Sequence, residues 1–352
     1  MQTTYKIFYL ILMVGFFQIM NTSAQMTTTD IPYTLPQEVV ELRPKFHFPP
    51  VNQDTTNVCW SFSTLSFMES EMQRISGQSI KLAVMFPVYF GYIEKAKEYI
   101  RSKGESRFTA GDLFTTVIDV VRSYGIVPED VYRGQAVEHP TYNHTEMEQE
   151  IDDLKIRIVD EGIWNENQIL DDVKNILNKH LSEPPESFSF REETFTPITF
   201  AEKYVNLPWD DYLLITSFSD SPFDAFTELK VPDNWRGVDR YFNVSLDLFY
   251  TSMKTALNNG YSIAIDGDIK EPGRLGEQDV CIIPDYDIPV SYINQAARDY
   301  RFEKGVTNDD HLMHIVGYGE VNGEDWFLVK DSWRDAYQGK HKGYFFYHEG
   351  YA

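Results

Sequence analysis

Cysteine is scarce in this chain, which has two among its 352 residues, Cys59 and Cys281. Two cysteines exclude a disulfide-rich scaffold and any four-cysteine metal site. Basic residues are also few, since 31 lysines and arginines stand against 54 aspartates and glutamates, a net charge of −23. Affinity for nucleic acid comes mainly from lysine and arginine on the phosphate backbone, so the composition argues against nucleic acid as a partner.

The apolar run at the N-terminus is short. Residues 7–20 (IFYLILMVGFFQIM) form fourteen mostly apolar residues, whereas a membrane-spanning helix needs roughly twenty. Lys6 precedes the run, and the small residues Thr22, Ser23 and Ala24 follow it. This pattern predicts a signal peptide over residues 1–24, cleaved near Ala24, and an exported protein, periplasmic or extracellular, with no stable membrane span. A buried N-terminal helix is the alternative.

Aromatic residues are plentiful, with 22 Tyr, 24 Phe and 6 Trp, which indicates a folded chain with a large core. Apolar residues recur at helical spacing between Cys59 and Gly77, and again before Gly104 and Gly125, so residues 25–138 are predicted to be helical. Residues 139–240 are polar and rich in proline, with helical stretches such as residues 175–180, which predicts insertions with long loops. Residues 241–352 contain short β-branched and aromatic segments typical of antiparallel strands. The predicted fold class is α+β.

Cys59 lies at the start of the first predicted helix, after the polar stretch 51–58. Unpaired N–H groups and the helix dipole favour a thiolate at such a position. A free cysteine is also commonly a small packed hydrophobe, and position alone does not separate the two interpretations. Cys281 lies in an apolar run with no neighbouring base, which favours a packed thiol.

Several short sequence blocks stand in a fixed order along the chain. Gln53 precedes Cys59 by six residues, Trp60 follows it, and His311 stands before a Gly-Tyr-Gly segment. The remaining blocks are 82–88 (LAVMFPV), 92–96 (YIEKA), 124–128 (YGIVP), 256–260 (ALNNG), 266–268 (DGD) and 330–333 (KDSW). Together these blocks resemble the papain-like cysteine peptidases, and within them the bleomycin hydrolase and bacterial aminopeptidase C branch. The resemblance covers about residues 52–347 and implies a papain-like unit over residues 25–352. In that fold, the active-site cleft lies between a helical part and an antiparallel, barrel-like part.

The resemblance also implies roles for five residues. Cys59 would be the nucleophile that forms a thioester, and His311 would be its acid and base. Gln53 would stabilise the oxyanion, Asp331 would orient the His311 ring, and Trp333 would shield that contact from water. The expected activity is hydrolysis of peptide substrates, most simply as an aminopeptidase, with no metal and no organic cofactor. The branch commonly forms homohexamers, so a homo-oligomer is expected at family level.

Some alternatives remain open at this level. His314 lies three residues after His311, hence on the opposite face of an extended strand, and is predicted to be a packing or surface residue. The family usually has asparagine where this chain has Asp331; a carboxylate can orient the ring equally well, or it can mark a catalytically silent, peptide-binding protein. A metallohydrolase has little support, because His311 and His314 lack a helical HxxxH setting.

The C-terminal end raises one further question. The branch normally continues beyond the position of Ala352 into an arm that restricts cleavage to free N-termini. The expectation is therefore either a truncated chain or a peptidase that is not limited to aminopeptidase action.

Overall fold

Three consecutive helices form the first part of the chain. The computed structural model describes residues 31–135, 141–284 and 287–352, so the predicted signal peptide, residues 1–24, lies outside the described residues. The helices are α1 (Cys59–Ser76), α2 (Met85–Arg101) and α3 (Phe114–Tyr124), as the periodicity predicts. Helix α1 ends because Gly77 takes a φ of 72°, where its N–H donates to the Gln73 carbonyl at 2.9 Å.

The middle region is more ordered than its composition predicts. It contains two full helices, α4 (Thr145–Glu161) and α5 (Glu166–Leu181), and α5 extends the helical stretch that the sequence predicts at residues 175–180. Buried residues recur along α4 at Met147, Ile151, Leu154 and Ile158, a stripe that packs into the same core as α1–α3. The shorter elements that follow are β1 (Phe188–Phe190), β2 (Glu193–Phe195), α6 (Pro197–Phe200), β3 (Leu214–Thr216), β4 (Ala225–Thr227) and β5 (Tyr241–Asn243).

The last part of the chain is built on a six-stranded sheet. Its elements are α7 (Leu246–Asn258), β6 (Ile263–Gly267), β7 (Arg274–Leu275), β8 (Val280–Cys281), α8 (Gln295–Glu303), β9 (His311–Val321), β10 (Glu324–Lys330) and β11 (Tyr344–His348). The strand order is β6-β9-β10-β11-β8-β7. Strands β9 and β10 form a hairpin whose turn residues, Asn322 and Gly323, have φ values of 54° and 86°. Asn-Gly tolerates these left-handed values, so this sequence fixes the hairpin.

The predicted barrel-like closure is wrong. Strands β6 and β7 are the two edges of the sheet, and no pairing between them joins the edges among the described residues. The sheet is also mixed, because β8 pairs with β11 in parallel. A closed barrel requires tilted strands with a consistent stagger. Strands β7 and β8 have two residues each and are too short to extend the sheet into a barrel. The fold is α+β with an open sheet.

Helix α1 packs directly on strand β9, within a compact unit that spans Tyr33–Ala352. The Ser63 hydroxyl donates to the Met313 carbonyl at 2.6 Å, which fixes the helix along the strand. A larger apolar cluster lies around α1–α5, and a second lies between α7 and the sheet. The N-terminus of α1 and the start of β9 therefore meet. No helix in the described part of the chain is long and apolar enough to cross a membrane.

Candidate active site

The loop before α1 places Cys59 at the first position of the helix. Asp54 and Asn57 both have left-handed backbone, with φ near 52° and 53°, a conformation that these two residue types tolerate. The Thr56 hydroxyl closes the turn by donating to the Gln53 carbonyl at 2.9 Å. Trp60 fixes the first turn of α1 on the other side of Cys59, because its indole N–H donates to the Ala110 carbonyl at 2.9 Å. The Cys59 sulfur is nearly buried and accepts the Leu312 N–H at 3.5 Å.

Strands β9 and β10 bring His311 and Asp331 together across the sheet. His311 opens β9, and Asp331 follows the last residue of β10. Since the strands are antiparallel, the end of β10 returns to the start of β9. The His311 Nε2–H donates to Asp331 Oδ1 at 2.8 Å, and both side chains are buried. The Cys59 sulfur accepts the N–H of Leu312, the next residue along β9, and the charge of Cys59 acts on His311. Because Asp331 uses Nε2, Nδ1 is the ring atom that remains for the sulfur.

The surroundings of His311 favour its protonated, positively charged form. Burial alone would lower its pKa, but the charges of Asp331 and Cys59, with the hydrogen bond to Asp331, raise the pKa to about 10. Burial would likewise raise the pKa of Asp331, yet His311 and Arg274 hold it well below its usual range. An imidazolium between a sulfur and a carboxylate is the arrangement that a thiol–imidazole catalyst requires.

Arg274 is a component of this site that the sequence prediction missed. Its guanidinium donates to Asp331 Oδ2 at 2.8 Å and to both carboxylate oxygens of Asp335, at 2.7 and 2.8 Å. It also donates to the Tyr347 hydroxyl at 3.0 Å and lies over the Phe345 ring. The side chain is 2% exposed. Asp331 is the signal that could have revealed it, because a buried carboxylate in place of asparagine needs a second cation.

Gln53 and Trp333 lie on the loops before α1 and after β10. The Gln53 N–H donates to the Ser332 carbonyl at 2.8 Å, which ties the two loops together. The Gln53 side chain is buried, and its Oε1 has no hydrogen-bond partner among the described residues. The Trp333 N–H donates to Asp331 Oδ1 at 2.7 Å, and its ring lies edge-on to His311 at 6.1 Å between centroids. Cys59, His311, Asp331 and Trp333 therefore lie at one site, and the loop that carries Gln53 is joined to it.

His314 takes part in a different cluster on the other face of β9. Its Nδ1 is hydrogen-bonded to the Ser66 hydroxyl at 2.8 Å, and burial and the nearby Lys330 charge lower its pKa well below the usual range. The Lys330 ammonium donates to the same hydroxyl at 2.8 Å. His314 is buried by packing and faces away from Cys59, so it is not placed to act as the base.

Cys281 is fully buried in the second core, and burial raises its pKa far above the usual range. Three side chains in the described part of the chain lie close enough to share a metal ion: Glu324, His348 and Glu349. That group contains neither Cys59 nor His311.

Comparison with known proteins matches this chain to a peptidase family. The profile of the Peptidase C1-like family matches residues 105–352, a range that contains His311 and Asp331 and begins after Cys59. Among solved structures, the crystal structure of PepW from Lactobacillus rhamnosis HN001 superposes with a TM-score of 0.65 at 20% sequence identity. The match covers 88% of this chain and 78% of that one. It shows a shared fold.

Two bacterial proteins are similar along most of their length. The chain is 22% identical over 341 residues to Aminopeptidase G of Lactobacillus delbrueckii subsp. lactis, which covers 84% of this chain and 76% of the relative. It is 22% identical over 338 residues to Aminopeptidase E of Lactobacillus helveticus, with the same two coverages.

Proposed function

The chain belongs to the Peptidase C1-like family, and on that premise we propose that it is a cysteine aminopeptidase that releases residues from the N-termini of peptides. The observation that carries the proposal is the position of His311, which is hydrogen-bonded to Asp331 and adjoins Leu312, whose N–H donates to the Cys59 sulfur. The preference for N-termini is supported by the names of the similar proteins, Aminopeptidase G, E and C.

In the proposed reaction, the Cys59 thiolate attacks the scissile carbonyl carbon and forms a tetrahedral intermediate. Cys59 is the first residue of α1, so its N–H has no partner within the helix and is free to donate to the developing oxyanion. The Gln53 side-chain amide is the second proposed donor. Each such donor is worth about 10²–10³ in rate in related acyl-transfer sites.

His311 then gives the proton on Nδ1 to the leaving amine, and a thioester remains on Cys59. The neutral ring next accepts a proton from water, which attacks the thioester and releases the new carboxylate. Asp331 holds the ring through Nε2 in both half-reactions, and the edge of Trp333 covers that hydrogen bond.

A pair of cysteine variants tests this proposal. Cleavage of leucyl-coumarin amide is measured for the wild type, Cys59→Ala and Cys281→Ala. We expect no detectable turnover with Cys59→Ala and near-normal turnover with Cys281→Ala, because the Cys281 sulfur is buried in the second core. A folded wild-type protein without turnover on aminoacyl or peptidyl substrates would instead favour a catalytically silent, peptide-binding protein.

We also propose that the protein is exported. The proposal is supported by the pattern of residues 1–24, in which Lys6, the apolar run and the small residues before Gln25 follow one another. N-terminal sequencing of protein recovered from outside the cytoplasm should begin at or near Gln25. Recovery of chains that begin at Met1 and remain with the cytoplasmic fraction would contradict the proposal.

A further inference from the structure

A large apolar cavity ends beside the reaction centre. It has a volume of about 1110 Å³ and lies between α1, α7 and β6. Aromatic side chains supply much of its wall, among them Phe67, Phe114, Tyr212, Tyr241, Phe249 and Phe302. Its lining contains neither Cys59 nor His311, but it reaches Gly267, the residue opposite His311 in the sheet register. Cavities of this size hold small ligands and several side chains.

Two carboxylates lie at that end of the cavity. Asp266 precedes Gly267 on β6, and Asp309 lies two residues before His311; both line the cavity. Asp266 Oδ1 and Asp309 Oδ2 are buried and have no hydrogen-bond partner among the described residues. Neither carboxylate forms a salt bridge within the described part of the chain.

Neighbouring acidic residues are already paired. Asp233 lies 3.1 Å from the Arg107 guanidinium, and Asp310 lies 2.5 Å from the Lys270 ammonium. The unpaired state of Asp266 and Asp309 is costly for the protein. Burial and the negative charges around them raise the pKa of Asp266 well above its usual range and that of Asp309 to about 6. These shifts persist although the charge of His311 opposes the first and the charge of Arg107 opposes the second. A bound cation would relieve this cost.

We propose that Asp266 and Asp309 bind the α-ammonium group of the substrate's N-terminal residue, and that the apolar cavity accepts its side chain. The inference rests on the proposed peptidase function, because it places the scissile carbonyl at Cys59 and His311. Opposed Cα atoms in an antiparallel pair are about 4.5–5.5 Å apart. One residue spans at most about 3.6 Å. An amine one residue before the scissile bond is therefore within reach of carboxylates that adjoin His311.

The same carboxylates could bind a side-chain ammonium, so the substrates are chosen to separate the two sources. The values of kcat/KM are compared for leucyl-, N-acetyl-leucyl- and N-acetyl-lysyl-coumarin amides. We expect the wild type to prefer leucyl over N-acetyl-leucyl at least 100-fold. Equal cleavage of the two leucyl substrates, or a preference for N-acetyl-lysyl, overturns the inference and leaves the peptidase proposal intact.

The variants Asp266→Asn and Asp309→Asn test the two carboxylates directly. Each asparagine variant should raise KM for the leucyl substrate and reduce the preference for the leucyl over the N-acetyl-leucyl substrate about 10- to 100-fold. Asp309→Glu keeps the charge and should retain most of that preference. Asp171→Asn, on the exposed face of α5, is the matched control. An unchanged preference in both asparagine variants overturns the inference.

Alkylation of Cys59 by iodoacetamide, followed by mass spectrometry, is measured on every protein as a test of the reaction centre itself. Wild-type protein that neither cleaves any substrate nor alkylates at Cys59 would overturn the proposed function and this inference together. Normal alkylation with a lost leucyl preference in the asparagine variants supports the α-ammonium site.

Discussion

At the scale of single residues, the site is a row of alternating charges. His311 lies between the Cys59 sulfur and the Asp331 carboxylate, and Arg274 contacts the far oxygen of that carboxylate. Asp331 therefore faces one cation on each side and remains ionised although it is buried. An asparagine at this position would orient the ring without needing Arg274. The aspartate is thus consistent with an active site whose extra negative charge is balanced.

Replacement of Asp331 by asparagine should shift the pH dependence of catalysis. The Asp331 charge is a main cause of the high pKa of His311, about 10, so Asp331→Asn should lower that pKa. Protonation of the leaving amine needs the imidazolium, hence the alkaline limb of the kcat/KM profile should move to lower pH in the variant. Both proteins are assayed on N-acetyl-leucyl-coumarin amide, which has no titrating amine, so the alkaline limb reports the enzyme alone. Coincident alkaline limbs would show that Asp331 does not set the charge of His311.

Arg274 should be coupled to Asp331 in both stability and activity. Arg274→Met leaves the carboxylates of Asp331 and Asp335 without their shared cation, and breaking a buried ion pair typically costs about 3–5 kcal/mol. We expect this variant to lose most of its activity. The double variant Arg274→Met with Asp331→Asn should recover part of both losses, because asparagine needs no counter-ion. The free energy of unfolding in urea and kcat/KM are measured for the wild type, both single variants and the double variant. Strictly additive effects would show that the two residues are not coupled.

At the scale of secondary structure, the contact between α1 and β9 creates the site. The helix brings the thiol, the strand brings the imidazole, and the hydrogen bond from Ser63 to Met313 fixes their register. His311 and His314 lie on opposite faces of β9. His311 lies towards Cys59, and His314 lies towards Ser66. The sequence predicted this separation, since strand residues three apart face opposite ways.

Lys330, at the end of β10, should destabilise the fold near neutral pH. Burial, with the nearby Lys81 charge, lowers its pKa to about 7, whereas the unfolded lysine titrates near 10.4. Between these values the unfolded chain keeps a proton that the folded protein has lost, so stability rises with pH. The loss of stability caused by the buried Lys330 charge is therefore complete below pH 7 and fades as the pH rises to about 10.

The variant Lys330→Met should remove that cost. We expect an increase in the free energy of unfolding on the order of a few kcal/mol at pH 6, less the hydrogen bond to Ser66, and a smaller gain at pH 9. Lys174→Met, on the exposed side of α5, is the matched control and should change little. A destabilised Lys330→Met protein at pH 6 would mean that the hydrogen bond outweighs the buried charge.

At the scale of the whole molecule, what the sequence could predict depended on how local the signal was. Helix α1 with Cys59 at its start follows from short-range periodicity, whereas the role of His311 was expected from the resemblance of its segment to a known family. Arg274 and the open sheet could not be predicted in this way, because both depend on pairings between strands distant in the chain, such as β8 with β11. The sequence indicated only part of α5 and nothing of α4, because their charged surfaces make amphipathic segments look like polar loops.

The most direct test of the central proposal is a time course of limited alkylation with iodoacetamide. Each sample is divided, one half for peptidase activity and one half for peptide mapping of Cys59 and Cys281. We expect activity to fall in proportion to the modification of Cys59, while the fully buried Cys281 stays unmodified until the protein unfolds. Activity that persists when Cys59 is completely alkylated would contradict its role as the nucleophile.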